Sequence, residues 1–291
     1  MRIQKYIKRG MNLFMKITKV INNNFVCSLN EKNKEVVVMG KGIGFKAKEG
    51  DPIDPERIEK TFIMDGKSAI DKFKRLIEKM PIEHFKVSNE IINYTKRTLG
   101  KRLNQNIYIT LTDHISFSVY RYENGMNFPN PLLWEVKQFY KAEYLIGEYA
   151  VKLINERLGV NFGEDEVANI ALHIVNAEYN TEMNDALKMT TLISEVLKIV
   201  GESLDIELDE ESLHYTRLIT HLKFLSQRIF LGEMLKDTDD IFASMIAHKY
   251  PKEYECSIKI RDFIKERYNQ EISNEELVYL TVHLKRVSTV E

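Results

Sequence analysis

Four of the seven histidines occupy equivalent places in two copies of a repeated sequence: His114, His173, His221 and His283. The stretch from His114 to Arg121 matches the stretch from His221 to Arg228, and the acidic and apolar residues that lead to His173 recur before His283. Each copy is longer than the roughly 20 to 50 residues of a solenoid repeat. The repetition therefore predicts two tandem helical domains.

A recurring imidazole can bind a metal, transfer a proton or accept a phosphoryl group. Zinc ligands on one helix stand three or four residues apart, and none of the four histidines has such a partner. The sequence also lacks Walker, dinucleotide-binding, nucleophile-elbow and His-Glu-x-x-His motifs, so no enzyme activity, cofactor or metal is expected. A phosphoryl group needs only an exposed, neutral ring nitrogen, and Arg121 and Arg228 follow at helical spacing to pair with its charge. The pattern favours regulatory phosphorylation.

Two of these histidines have a predictable position on their helices. His173 follows Ile170 by three residues, and His283 follows Leu280 by three residues. Both rings should therefore lie at the edge of an apolar stripe. We expect them to be partly accessible and to titrate near neutral pH.

Composition limits the partners and the compartment. The 291 residues carry 42 basic and 43 acidic side chains, a net charge of -1. No overall field is available to hold a polyanion, so any nucleic-acid site has to be local. Two cysteines are too few for a disulfide framework, and no apolar run approaches the roughly 18 residues of a membrane span. These features indicate a globular protein of the reducing cytoplasm without membrane insertion.

The residue pattern changes near Gly66 from short strand-like segments to apolar residues at helical spacing. Before it lie three short β-branched segments separated by turns rich in Asn and Gly: residues 16–21, 25–29 and 35–39. Two prolines between residues 51 and 55 are expected to forbid regular structure there. Beyond Gly66 the apolar residues recur at helical spacing. The predicted fold class is therefore α+β multidomain, with a small antiparallel β domain followed by two tandem all-α bundles over residues 67–291.

The helical part allows detailed predictions of one long helix and of two helix starts. The apolar residues from Leu132 to Leu158 predict one long helix that ends at Gly159. Ser88 and Ser273, each followed by acidic residues, are predicted to begin helices as N-caps.

The long helix offers more apolar surface than one domain needs, and the β module is small for a core of its own. Both observations predict a homodimer.

Five segments carry recognisable motifs: residues 15–24, 37–45, 111–114, 170–178 and 211–215. Together they resemble the BglG/LicT family of bacterial transcriptional antiterminators, and within it the LicT-type β-glucoside operon antiterminators. The resemblance implies a co-antiterminator (CAT) RNA-binding domain at residues 15–70 and two phosphotransferase-system regulation domains (PRDs) at 79–184 and 185–291. Residues 1–14 precede the match, and a misassigned start codon accounts for them better than a basic arm that contacts phosphate.

In this family the dimeric β module clamps a hairpin in nascent mRNA and prevents an overlapping terminator from forming. The family's RNA-contacting positions correspond to Lys19, Asn24, Gly40, Lys41 and Phe45. We expect the lysines to meet phosphate, Asn24 to pair with base edges through a donor and an acceptor, Gly40 to permit close backbone approach and Phe45 to stack on a base. Relatives often carry Arg at the position of Lys41 and Ala at that of Gly44, and lysine lacks the planar fork for a bidentate contact.

The resemblance further implies that phosphorylation of the four recurring histidines reports the sugar supply. The implied donors are the general histidine phosphocarrier protein for the second repeat and a sugar-specific permease for the first. Basic residues surround both histidines of the second repeat and should attract phosphate. In the first repeat Asp113 adjoins His114 and no Lys or Arg lies near His173 in the sequence, so phosphate should be repelled. The two repeats are therefore expected to answer phosphorylation with opposite sign.

Two other functions stay open from the residues themselves. A PRD-containing DNA-binding activator would need a helix-turn-helix before the repeats, and a helical phosphotransfer relay would bind no nucleic acid. The β-rich N-terminal part, punctuated by Asn and Gly, argues against a helix-turn-helix.

Overall fold

The computed structural model describes residues 15–63, 66–126, 128–180, 183–235 and 240–289. An antiparallel sheet comes first, with strands β1 Ile17–Asn22, β2 Phe25–Leu29, β3 Glu35–Met39 and β4 Lys60–Phe62 in that spatial order. The helices are α1 Lys67–Lys79, α2 Ile82–Leu99, α3 Ile107–Glu123, α4 Leu133–Phe139, α5 Lys141–Leu158, α6 Glu164–Tyr179, α7 Met183–Leu204, α8 Leu213–Leu231, α9 Asp240–Lys249, α10 Pro251–Tyr268 and α11 Asn274–Val287. The predicted fold class is confirmed. The predicted N-terminal extension, residues 1–14, lies outside the described residues.

Three of the four strands match the predicted segments. β1 begins and ends one residue later than predicted, and β2 and β3 have the predicted bounds. β4 was not predicted. It follows the proline-rich segment, where Pro55 opens a single 3₁₀ turn, Pro55–Arg57, that is capped by the side chain of Asp54. With three residues, of which Phe62 pairs with Val37 of β3, this strand is too short to show an alternating pattern.

The predicted helix from Leu132 to Leu158 is in fact two helices, α4 and α5. Tyr140 separates them with φ -121° and ψ 51°, outside the helical region. Gly159 ends α5 with φ +70°, as predicted. Tyr140 is fully buried, and apolar residues face the interior on both sides of the break. Because the apolar spacing continues across it, periodicity alone cannot reveal one non-helical residue.

One of the two predicted helix caps is correct. Ser273 precedes α11, and its hydroxyl accepts a hydrogen bond from the Glu276 backbone N–H at 3.3 Å. Ser88 lies in the middle of α2 instead, buried, where its hydroxyl accepts a hydrogen bond from Thr112 of α3 at 2.7 Å. The helix begins earlier, directly after Pro81. A serine followed by acids marks a helix start only where no earlier turn has already formed.

The chain divides into two compact units. One comprises the described residues up to Pro129 together with Glu148–Gly163, and the other comprises Asn130–Gly147 together with the described residues from Glu164 onward. The first unit holds the sheet and α1 to α3, and the second holds α4 and α6 to α11. The division falls inside the first helical repeat, whereas the domain limits predicted from the sequence keep each repeat whole.

The sheet has two apolar faces, and both are covered within the first unit. A core forms on one face from strand residues and the loop after β3: Met15, Ile17, Val26, Val36, Val38, Ile43 and Ile53. On the other face, the rings of Phe25 and Phe62 meet Phe85 of α2 at centroid distances of 5.0 and 5.5 Å, and Phe62 meets Tyr108 of α3 at 5.1 Å. Helices of the same chain thus supply the second layer. The β module does not need a second copy to complete its core, which removes one of the two reasons given above for a dimer.

We predict that Phe85→Ala lowers the free energy of unfolding by about 3 to 5 kcal/mol, the usual cost of truncating a buried phenylalanine. Phe85 is fully buried among Phe25, Phe62 and Phe73. Chemical denaturation followed by circular dichroism measures the change. Phe45→Ala removes the same side chain from an exposed position and should change the value by about 0.5 kcal/mol or less. Equal losses in the two variants would contradict the position of Phe85 in the layer between sheet and helices.

Candidate nucleic-acid interface and histidine sites

Asn22 builds the turn between β1 and β2. Its side-chain oxygen accepts hydrogen bonds from the backbone N–H groups of Asn24 and Phe25 at 2.9 and 3.1 Å. Its Nδ2 donates to the carbonyl of Ile77 in α1 at 2.8 Å. This residue was not among the predicted site residues. The run of three asparagines signalled a turn, but only the folded chain shows that the turn is fastened to a helix.

Asn24 joins this turn to the loop after β3. Its side-chain oxygen accepts a hydrogen bond from Gly42 N at 3.2 Å, and its carbonyl accepts one from Gly40 N at 3.0 Å. Gly44 N donates to the carbonyl of Asn23 at 3.1 Å. The side-chain acceptor of Asn24 is therefore engaged in holding the loop. Within the described part of the chain its Nδ2 donates to no residue, so the side chain offers a donor to a partner.

Two glycines allow the loop to pack against neighbouring backbone. A Cβ atom on Gly40 would lie 1.9 Å from the carbonyl oxygen of Arg57, and one on Gly44 would lie 2.1 Å from that of Asn22. Gly40 is buried. The close approach predicted for Gly40 is thus made to the chain's own backbone. An alanine at residue 44 would require the loop and the turn to move apart.

The other three predicted RNA-contacting residues are exposed. Lys19 lies on β1, and Lys41 and Phe45 lie in the loop after β3. Phe45 is 59% exposed, and the ammonium group of Lys46 lies 5.5 Å from its ring centroid. The backbone N–H of Lys41 donates to Glu59 at 3.2 Å, and its ammonium group makes no hydrogen bond or ion pair with the described residues. An exposed aromatic ring among lysines is a suitable platform for a base and its phosphates.

The two histidines of the second repeat form a stacked pair. His221 lies on α8 and His283 lies on α11. Their ring centroids are 4.8 Å apart and their planes are 17° from parallel. The ring of Tyr279 lies 6.2 Å from that of His221. Two residues that are far apart in the sequence are thus brought together in one site.

A buried carboxylate belongs to the same site. Glu276 is fully buried, and its Oε1 accepts a hydrogen bond from Nε of Arg228 at 2.7 Å and forms an ion pair with Nη2 of the same residue at 2.5 Å. Its Oε2 lies 3.4 Å from Nε2 of His221, without the alignment of a hydrogen bond. Sequence reasoning did not assign Glu276 to the site. The available signal was its recurrence, because Glu166 and Arg121 stand at the equivalent places of the first repeat.

The surroundings of His283 hold its ring in the neutral form. Burial, followed by the influence of His221, Arg286 and Arg217, lowers the pKa of His283 to about 4. The imidazole is therefore unprotonated at neutral pH. The prediction that His283 titrates near neutrality is wrong, because it considered only the position on the helix and not the burial of the ring, which is the main cause of the lowered pKa, or the cations around it.

The cations expected near the second-repeat histidines have different roles. Arg217 and Arg286 are the two that act on His283. Arg228 is held by Glu276, as described above, and the ammonium group of Lys223 lies 4.6 Å from the ring centroid of Tyr140. Arg286, which is close to His283 in the sequence, thus acts on it as expected, and Arg217, which is closer to His221 in the sequence, acts on His283 as well.

The histidines of the first repeat belong to different compact units. His114 on α3 is half-buried, and its Nε2 lies 3.5 Å from Ser118 Oγ, which accepts a hydrogen bond from Arg121 at 2.8 Å. His173 on α6 is only 7% exposed, so the prediction of a partly accessible ring is wrong. Every residue from Ile170 to Ala177 is buried. The prediction assumed that one side of this helix faces solvent, and over this stretch no side does.

Two kinds of feature do not occur among the described residues. No group of three or more His, Cys, Asp or Glu side chains converges there as metal ligands would. Among the same residues, no helix combines the length and the apolar character needed to cross a bilayer.

Comparison with known proteins agrees with this arrangement. The family model of the CAT RNA binding domain matches residues 15–70, and that of the PRD domain matches residues 89–177 and 194–287. Over 94% of its length the chain is 48% identical to transcription antiterminator LicT of Bacillus subtilis (strain 168), of which 99% is covered. It is 38% identical, again over 94% of its length, to the beta-glucoside operon antiterminator of Dickeya chrysanthemi, of which 96% is covered.

A solved structure supports the same relationship. The crystal structure of GlcT CAT-PRDI matches 56% of this chain, with 98% of that chain covered, 36% sequence identity and a TM-score of 0.51. The fold, the repeated histidines and the matched domains agree on one assignment. The chain belongs to the family of transcription antiterminators that carry a CAT RNA-binding domain followed by two PRD domains.

Proposed function

We propose that the chain is a transcriptional antiterminator of an operon for sugar utilisation, of the β-glucoside class. Its CAT domain binds a hairpin in nascent mRNA and prevents an overlapping terminator from forming. The observation that carries the RNA-binding part is the loop after β3, which presents Lys41 and Phe45 to solvent and is held to the β1–β2 turn through Asn24. A preformed aromatic and cationic surface of this kind suits unpaired bases and their phosphates.

Phosphorylation of the recurring histidines by the phosphotransferase system controls this activity. The general histidine phosphocarrier protein acts on the second repeat, and a sugar-specific permease acts on the first. These partners and nascent mRNA meet in the cytoplasm. The active form is a homodimer, for which two exposed apolar side chains, Trp134 on α4 and Leu145 on α5, offer a contact surface.

The two repeats respond to phosphate with opposite sign. In the second repeat Arg217 and Arg286 act on His283, so an added phosphoryl group meets positive charge and stabilises the active form. In the first repeat Asp113 adjoins His114, and phosphate there adds negative charge beside a carboxylate. Phosphorylation of the first repeat therefore inhibits, and phosphorylation of the second repeat activates.

Substitutions in the loop surface test RNA binding. Asn24→Ala and Phe45→Ala should each weaken binding of the leader hairpin by about 1 to 3 kcal/mol, because a base contact or a stacked base is lost. Filter binding with the full-length protein measures the affinity. Wild-type affinity in both variants, with folding unchanged in thermal denaturation, contradicts the proposed surface.

Two lysines provide a matched pair for the same assay. Lys41→Ala should weaken binding and reduce the slope of log affinity against log salt by about 1, the effect of one lost phosphate contact. Lys32→Ala should change neither, because it lies in the β2–β3 turn beyond the pair of Leu29 and Glu35, at the end of the hairpin opposite to the pair of Phe25 and Met39. Equal effects of the two variants would indicate nonspecific attraction of RNA.

The homodimer is tested by sedimentation velocity of the full chain at micromolar concentration. We expect the wild-type protein to dimerise and Leu145→Asp to weaken the dimer, because a charge replaces an exposed apolar contact. Met245→Asp, which changes an equally exposed apolar residue on α9, is the control. A wild-type chain that stays monomeric at tens of micromolar, phosphorylated or not, rules out the dimer.

The opposed response is tested with a reporter gene placed behind the terminator. His114→Ala and His173→Ala should give expression without the inducing sugar, because the inhibitory phosphate has no acceptor. His221→Ala and His283→Ala should lose activation. If all four substitutions moved the reporter in one direction, the opposed-sign mechanism would be wrong, and loss of stability would explain the effects better.

A further inference from the structure

We propose that His283 is the first phosphate acceptor of the second repeat and that it accepts through Nε2. His221 is its shielded neighbour in the unphosphorylated site. This inference rests on the proposed function and names the acceptor atom within it.

The two stacked rings differ in access. Both ring nitrogens of His221 are buried and make no hydrogen bond with the described residues, and the side chain is 12% exposed. Of the two nitrogens of His283, only Nδ1 is buried in this way. Nε2 of His283 is not enclosed in this way, so it is the nitrogen of the pair that a visiting donor meets first, whereas both nitrogens of His221 stay covered until that ring moves.

The charges around the two rings differ in the same sense. The carboxylate of Glu276 lies 3.4 Å from Nε2 of His221 and is fastened by Arg228. A phosphoryl group that approached this nitrogen would meet a buried negative charge at close range. Arg217 and Arg286 act on His283 instead, and its ring is neutral at neutral pH, so its free nitrogen has a lone pair for attack.

The transfer step balances without an additional reactant. The donor is a phosphohistidine whose ring is protonated at its other nitrogen. Its N–P bond breaks as a new N–P bond forms at Nε2 of His283, and the donor ring leaves as neutral imidazole. His283 keeps its proton on Nδ1, so the positive charge moves from the donor ring to the acceptor ring together with the phosphoryl group.

The stacking also limits where the phosphoryl group can go next. Ring nitrogen lone pairs lie in the ring planes, and these planes are only 17° from parallel. The lone pairs therefore do not point at the facing ring, whereas phosphoryl transfer needs the attacking and leaving atoms roughly in line with phosphorus. Phosphate that arrives on His283 consequently stays there in this arrangement instead of passing to His221.

A time course of phosphorylation tests the assignment in the unmodified chain. Full-length protein is incubated with phosphoenolpyruvate, enzyme I and the histidine phosphocarrier protein, and samples are quenched in alkali, which preserves phosphohistidine. Peptide mass spectrometry gives the occupancy of each histidine, and ³¹P NMR distinguishes the two ring nitrogens. We expect the initial rate at His283 to exceed that at His221 by about tenfold or more, with phosphate on Nε2.

Two variants separate the acceptor from its neighbour. His283→Gln should remove the fast phase in the second repeat, whereas in His221→Gln the residue of this pair that is phosphorylated should still be His283, on Nε2. Phosphate on His221 first, or on Nδ1 of His283, overturns the inference and leaves the proposed function intact. No phosphate on either histidine of the wild-type chain overturns both. Because the site is mapped in the wild type, the result does not depend on the folding of a variant.

Discussion

The structure of the N-terminal part depends on a sheet that is apolar on both faces. In β3, Val36 and Val38 point to one core, and Val37 and Met39 point to the other; all four are buried. A strand of this kind has no side that can face water, so the chain has to cover it twice. The loop after β3 covers one face and α1 to α3 cover the other. The loop that carries the candidate RNA contacts therefore packs on one face of this sheet. The first helices of the regulatory part pack on the opposite face.

Hydrogen bonds between the sheet and the helices that cover it add specificity to their apolar packing. Asn22, which forms the β1–β2 turn, donates to the carbonyl of Ile77 in α1. Lys60 of β4 donates to Asn89 of α2 at 2.7 Å and to the hydroxyl of Tyr108 at 2.6 Å, and burial, followed by Lys96, lowers the pKa of Lys60 to about 8. An amino group in this position stabilises only the one arrangement in which its hydrogen bonds are made. A displacement of α1 would therefore break the hydrogen bond that holds the β1–β2 turn. A displacement of α2 would break the hydrogen bond to β4 at the edge of the sheet.

The second repeat contains a carboxylate with no exposed surface, and burying its charge costs free energy. Removing the Glu276 carboxylate from water costs several kcal/mol, which its ion pair with Arg228 has to offset. Such a pair does not primarily stabilise the fold. It keeps a negative charge beside His221 and engages Arg228, and this is the contact on which the proposed difference between the two neighbouring imidazoles rests. The recurrence of Glu166 and Arg121 shows that the first repeat retains the same residue types.

The sequence by itself determined most of the secondary structure and the histidines that recur in the two repeats. It predicted three strands, the helical part, the end of α5 at Gly159, the family and the repeated histidines, because each of these leaves a pattern within a short stretch or within two aligned copies. Tertiary structure alone decided that Tyr140 interrupts a helix, that His173 is buried and that Glu276 stands beside His221. Apolar spacing reports which side of an element avoids water, but the burial of its other side is set by elements remote in the chain. The partner of a buried charge is likewise chosen by the fold, because Arg228 and Glu276 meet only when α8 and α11 pack together.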